Sequence, residues 1–433
     1  MKKMISLAAM FAALSYASPV FADVNVTVYG TLDAAAGYVN HQLSVDPQFP
    51  GSVNPVSPVA KTVPSSVTGL FNGGISPSRL GIKGGADICD GKKVFFTLEE
   101  GFNLPTAEAS NAAAALAANG GTATTLSANS SVNNQLFNRQ AFVGVSDTQL
   151  GSLAIGRNYA PIFDISVAYD PVQDSGLFSP LGWSGGYGGG GGVSEDLRVD
   201  NSLKYWNKVG SINFGALYKF GGSSVGDGAT KSAYALNAGY EEGNFGIQIA
   251  YQAFQDALKG SSGNVPNTVA LTNYNTSAWM AAAKYKVTSD ATLKIGYERY
   301  TLGAPSDQFS TTAGSPFFVS NYYGQTVNPG QLTNFSKADQ TTYIVFGGAD
   351  YNFSPKFNLA AGIYDVRQEA SADLGQKSNG LLFLSLLADY HLTKSFDTYA
   401  GLMYASYTGD TYGNSAAYYP SNTITAVGMR YKF

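Results

Sequence analysis

The dominant period along the chain is two. Across residues 24–38, Val24, Val26, Val28, Leu32, Ala34 and Ala36 alternate with Asn25, Thr27, Tyr29, Thr31 and Asp33. An extended backbone turns that alternation into one apolar and one polar face. Segments 78–87, 93–102, 136–146, 151–159, 198–207, 210–220 and 232–242 repeat it, and eight more from 244 to 433 bring the count to sixteen. The connections alternate too: one set is short, while the other covers 39–77, 103–135, 160–197, 221–231, 256–274, 303–338, 370–378 and 409–420. Short turns at one rim and long loops at the other, on an even strand count, are the organisation of an outer-membrane barrel. The pattern therefore predicts an all-β chain: a 16-stranded antiparallel transmembrane β-barrel with short periplasmic turns and long extracellular loops.

Composition sharpens this picture. Only 13% of the 433 residues are charged and 44% are hydrophobic, with Gly 50, Tyr 28 and Phe 25 against Trp 3, His 2 and Cys 1. A mean hydropathy of -0.05 leaves no room for several apolar helices of about 20 residues. One cysteine excludes a disulfide framework, and a net charge of -4 offers no basic footprint for nucleic acid. Residues 1–22, with Lys2 and Lys3 ahead of an apolar run and Val20-Phe21-Ala22, read as a cleaved signal peptide. Residues 23–433 then form a single barrel domain of an exported chain. Aromatics near strand ends, such as Tyr205-Trp206, Tyr218, Tyr285, Tyr300, Tyr351 and Tyr390, are expected in girdles at the membrane interfaces.

Alternation also sorts the charges. With Leu80 and Ile82 facing outward, Arg79 and Lys83 face the lumen, because a cation toward lipid costs roughly 2–4 kcal/mol near the midplane. Phe142 outward sets Arg139 inward; Leu203 and Tyr205 outward set Arg198, Asp200, Ser202 and Lys204 inward. Arg157 falls on the outward parity with Gln140, alongside the small residues Gly30, Ala34 and Ala36. That set makes the outer face of the first five strands a candidate subunit interface, unless a bulge turns Arg157 inward.

Catalytic chemistry finds little support. His41 and His391 belong at opposite rims, Cys89 belongs in a tight turn, and the glycine run 188–192 has no helix after it to make a nucleotide cradle. The stretch 107–118 is a helix or a surface loop. No enzyme activity, cofactor or metal is expected.

The chain resembles the general trimeric porins of Gram-negative outer membranes, in particular the Neisseria/Burkholderia-type branch. The resemblance rests on Ser78-Arg79-Leu80-Gly81-Ile82-Lys83-Gly84, Asn138-Arg139-Gln140-Ala141-Phe142-Val143-Gly144, the segment 151–159, Asp200-Asn201-Ser202 and the terminal Tyr431-Lys432-Phe433. It implies a homotrimer among outer-membrane lipid and lipopolysaccharide, with small hydrophilic solutes and ions passing through. It also implies that Phe433, with Tyr431, is read by the barrel-assembly machinery, and that the third long loop folds into the lumen. Asp164, Asp170 and Asp174 of that loop would then face Arg79, Arg139, Arg198, Lys83 and Lys204. A Pro-Glu-Phe-Gly stretch expected after the loop's short helix is replaced by Asp170-Pro171-Val172-Gln173-Asp174-Ser175-Gly176. Two other readings stay open: a substrate-selective porin with Phe163, Tyr169 and Trp183 along its path, and a barrel-anchored adhesin or receptor.

Overall fold

The computed structural model describes residues 24–40, 66–89, 91–109, 136–181, 198–220, 232–262, 265–303, 321–322, 325–326, 340–369, 378–409 and 421–433. The expected signal peptide, His41, Trp183, the glycine run and most of 107–118 lie outside the described residues. So does the side chain of Asp200.

Sixteen wall strands form one antiparallel sheet closed on itself. They are β1 (Asn25–Asn40), β2 in two stretches (Val67–Asn72 and Arg79–Cys89), β3 (Lys92–Asn103), β4 (Gln140–Asp147), β5 (Gly151–Tyr159) and β6 (Arg198–Val209). Then follow β7 (Ile212–Lys219), β8 (Ala233–Glu242), β9 (Phe245–Ser262), β10 (Val265–Lys286) and β11 (Ala291–Gly303). β12 (Gln340–Ser354), β13 (Phe357–Gln368), β14 (Asn379–His391), β15 (Phe396–Gly409) and β16 (Ser421–Lys432) complete the wall. Each strand pairs with the next, and β1 meets β16 from Thr31↔Lys432 to Asn40↔Thr423. Closure leaves no open edge, as a backbone in hydrocarbon requires. Among the described residues no helix is long and apolar enough to cross a membrane; strands make the crossing.

The seam is finished by the C-terminus. Gly30 and Phe433 exchange both backbone hydrogen bonds, at 3.0 and 3.2 Å. A Cβ at Gly30 would stand 2.5 Å from the Phe433 ring, so glycine is what seats that ring on the wall.

Two segments depart from the sequence expectation. The loop expected at 256–274 continues instead as a hairpin, β9 pairing β10 from Ala257↔Thr272 to Ser262↔Val265, because the backbone ladder runs on past the apolar band. The second wall strand begins earlier, at Val67, and is interrupted at 73–78. There the backbone N–H groups of Gly74, Ile75 and Ser76 donate to the buried Asp33 carboxylate at 3.0, 3.2 and 2.8 Å. Three donors in one turn replace the ladder bonds lost at the break.

The third long loop opens with helix α1 (Pro161–Tyr169), whose proline sits at the first helical turn where its missing N–H costs nothing. Buried Ile162, Ile165, Tyr169, Val172, Leu177 and Phe178 pack inside the barrel. Tyr169 donates to Glu241 at 3.0 Å on β8, and Lys294 of β11 donates to the Asp170 carbonyl at 2.9 Å. Leu177 N–H donates to the Gly74 carbonyl at 3.0 Å, so the loop crosses the lumen from β5 to the break in β2.

Candidate channel constriction

Facing residues in paired strands point the same way, so register decides which side chains share the lumen. Arg79 pairs with Gly101, Lys83 with Thr97, and Glu99 with Gln140. Leu80 and Ile82 lie on the opposite, exposed face. The lumen wall over β2–β6 therefore carries Arg79, Lys83 and Lys204, joined by Arg139 and Arg198 from strand ends. Arg139 Nε donates to Glu99 at 2.7 Å, and Arg79 Nε lies 3.7 Å from the same carboxylate. Tyr29 and Tyr159 hydroxyls donate to Glu99 at 2.8 and 3.2 Å. Arg139 and Arg198 sit 5.9 and 5.5 Å from the Tyr159 ring centre, and Lys83 sits 5.1 Å from that of Tyr29. The ring faces favour the cations and hold them against the wall. Glu99, Tyr29 and Tyr159 were not singled out from sequence, although the parity of 93–102 places Glu99 with Phe95 and Thr97.

The three loop acids separate by role. Asp164, half exposed, forms a 2.6 Å ion pair with Lys204. Asp174 accepts from Ser166 Oγ at 2.8 Å and feels the attraction of Arg198 and Arg139. Burial first, then the neighbouring Asp170 carboxylate, pushes the Asp174 carboxyl up to about 7. Gln173 and Asp174 have φ of 63° and 55°, a left-handed turn that lets the loop reverse at this point. Asp170 does not belong to the expected acidic face. It is wholly buried, accepts from the Tyr364 hydroxyl of β13 and from the Asp174 and Val172 amides at 2.7 and 3.3 Å, and is raised by burial. Its carboxylate ties the loop to the far wall.

Several outward assignments are corrected by register. Phe142 pairs with Thr97 and Gly156, which puts it on the lumen side with Lys83. Gln140 pairs with Glu99 and so leaves the proposed outer set. Arg139 precedes the ladder, after a left-handed Phe137 (φ 56°), and the chain turn carries it inward. Trp206 shares the lumen face of Lys204, whereas its neighbour Tyr205 faces out; Tyr300, 6% exposed, also faces in. The wall at Arg157 does bulge, with Gly156 at φ 138° and a register slip to Asn158. Arg157 nevertheless pairs with Ala141 on the outer face, donates Nε to the Asn138 carbonyl at 2.8 Å and attracts Glu100.

A closed sixteen-stranded antiparallel barrel with the third loop packed inside a charged lumen defines the class of transmembrane β-barrels. The chain matches the Gram-negative porin family over residues 6–410 and belongs to that family. An outer membrane porin protein of Bordetella pertussis is 27% identical over 282 residues, 62% of this chain and 63% of that protein. The chain thus spans somewhat less than two thirds of that relative. Outer membrane porin protein OmpD of Salmonella typhimurium is 25% identical over 300 residues, covering 68% of this chain and 74% of its own length. In fold, the anion-selective porin from Comamonas acidovorans superposes with a TM-score of 0.62 at 16% identity, over 95% of this chain and 100% of its own. OmpT of Vibrio cholerae gives 0.58 at 17%, over 95% and 98%.

Proposed function

We propose that this chain forms a water-filled outer-membrane pore for passive diffusion of ions and small hydrophilic solutes, narrowed where loop 3 meets the basic wall, with a preference for anions. The carrying observation is the placement of Arg79, Arg139 and Arg198 on one wall with Asp164 and Asp174 on the loop across from it. Among the described side chains there, five cations outnumber Glu99 and the two loop acids. Rings of charge select ions by offsetting lost hydration and by raising barriers to like charge. Opposed signs also set a transverse field that orients polar solutes. The Comamonas acidovorans porin, described as anion-selective, shares the barrel form.

The working unit in this reading is a homotrimer embedded in outer-membrane lipid and lipopolysaccharide. Ala34 and Ala36 face outward beside Met429 and Val427, and outward Glu100, part-exposed, is a charge better placed against a neighbouring subunit than against lipid. Arg157 is buried and satisfied within its own chain, and Gly30 is covered by Phe433. Exposed Tyr431 and Phe433 suit recognition by the assembly machinery.

Replacing both Arg79 and Arg139 with serine tests the pore assignment. The reversal potential in a KCl gradient should move toward cation preference. An unchanged potential and conductance would overturn the constriction.

A further inference from the structure

A porin lumen is expected to be polar, yet the wall below the arginines presents an aromatic cluster to it. Phe95 pairs with Gly85 and Gly144, on the face of Thr97 and Glu99. Phe142 and Trp206 lie on the same face. Phe95 meets Phe142 edge-on at 6.1 Å between ring centres and meets Trp206 at 5.9 Å. A Cβ at Gly144 would stand 2.6 Å from the Phe95 ring, so the missing side chain is what lets that ring lie flat on the wall. Trp206 remains 36% exposed, and its exposure is to the lumen rather than to lipid.

Beside the rings a cavity of 410 Å³ opens, with Phe95 and Trp206 as its apolar side and Lys93, Ser146, Ser152 and Asn25 among its polar lining. That volume lies within the range of small-molecule sites, which combine an apolar body with a few fixed polar groups. Two ammonium groups flank it. Lys204 Nζ lies 5.9 Å from the Trp206 ring centre, and Lys93 pairs with the exposed Asp87 at 3.2 Å. Both carboxylate partners, Asp164 and Asp87, are at least half exposed, so exchange for a solute carboxylate uncovers no buried charge.

We infer that this part of the lumen is a binding site for aromatic carboxylates: the solute ring packs on Phe95 and Trp206, and its carboxylate is taken by Lys204 or Lys93. Edge-to-face contact with the exposed indole supplies attraction for a ring that an aliphatic acid of equal charge lacks. The arginine wall upstream is reached first by the same anion, and the aromatic site then holds it on the periplasmic side. The inference rests on the chain forming a water-filled pore.

The full-length protein in planar bilayers provides the test, with KCl current recorded while benzoate, acetate or benzyl alcohol is added. Benzoate should reduce the current with saturation, acetate should not, and benzyl alcohol should act more weakly than benzoate. In Trp206→Ser the half-saturating benzoate concentration should rise about tenfold, the loss of one aromatic contact. Phe95→Leu, which keeps the apolar volume and removes the ring, should shift it in the same direction and decides the matter if W206S does not insert. Equal effects of benzoate and acetate on the native channel, or native benzoate sensitivity in both variants, would overturn the site. Native protein that gives no conductance steps would overturn the pore reading itself, a distinguishable result.

Discussion

At the scale of single residues, Asp174 is the group whose charge the fold alters most usefully. Its carboxyl sits near 7 because burial and Asp170 oppose ionisation more than Arg198 and Arg139 favour it. The unfolded chain releases that proton near 3.9, so the folded loop binds a proton that the unfolded chain has given up. This contribution to loop stability is complete below about pH 4 and lost as pH rises through about 7. Ionised Asp174 offsets the arginines, so lowering the pH from about 8 to about 6 should raise the anion-to-cation permeability ratio. In Asp174→Asn the ratio should stay flat across that range, as reversal potentials in buffered KCl gradients would show.

Among elements, loop 3 is held by contacts that span the barrel rather than by its own helix. Asp170 is the anchor, with Tyr364 donating from β13 and Lys294 bonding its carbonyl from β11. Tyr364→Phe keeps the ring and removes one donor from a buried carboxylate, a loss of about 1–3 kcal/mol in loop anchoring. Single-channel records should then show added flicker, with the strands intact by heat-modified gel migration; steady native currents would count against the anchor. The seam strands rely on Arg430 of β16, which donates to Asp397 of β15 at 2.9 Å and Asp389 of β14 at 3.1 Å, all three buried. Arg430→Ala leaves two buried carboxylates without their shared cation, a cost of about 3–5 kcal/mol, visible as a lower temperature for loss of the folded gel form.

For the whole molecule, the outer surface of β1–β5 is the part that a lone barrel explains least. Small Ala34 and Ala36 interrupt the large apolar side chains that lipid favours, and part-exposed Glu100 puts a charge on the same side, while Arg157 is buried within the wall. Contact with a neighbouring subunit would account for both features, since small side chains allow close packing and a neighbour could solvate Glu100. Cross-linking of the native protein should therefore give trimers, and Ala34→Trp with Ala36→Trp should shift the product toward monomers. Monomers alone from the native protein would refute this surface as an interface.

The alternation of polar and apolar residues determined the barrel, its strand number and the short and long rims, because a strand in a membrane exposes alternate residues to opposite solvents. It also placed Arg79, Lys83 and Lys204, where regular pairing continues from the outward leucines and isoleucine. Alternation failed where the chain leaves the ladder or where an aromatic is ambiguous. Arg139 enters by a turn before β4, and Phe142 and Trp206 suit either face by composition, whereas Arg157 keeps the outward parity beside its bulge. Cross-strand register resolves those cases, since each side chain must share the face of its partner. Tertiary structure alone separated the loop acids: Asp170 becomes an anchor because it meets Tyr364 far along the chain, while Asp164 meets Lys204 and Asp174 comes within reach of the arginines. No local pattern encodes those meetings, which arise only once the barrel closes and the third loop lies across its interior.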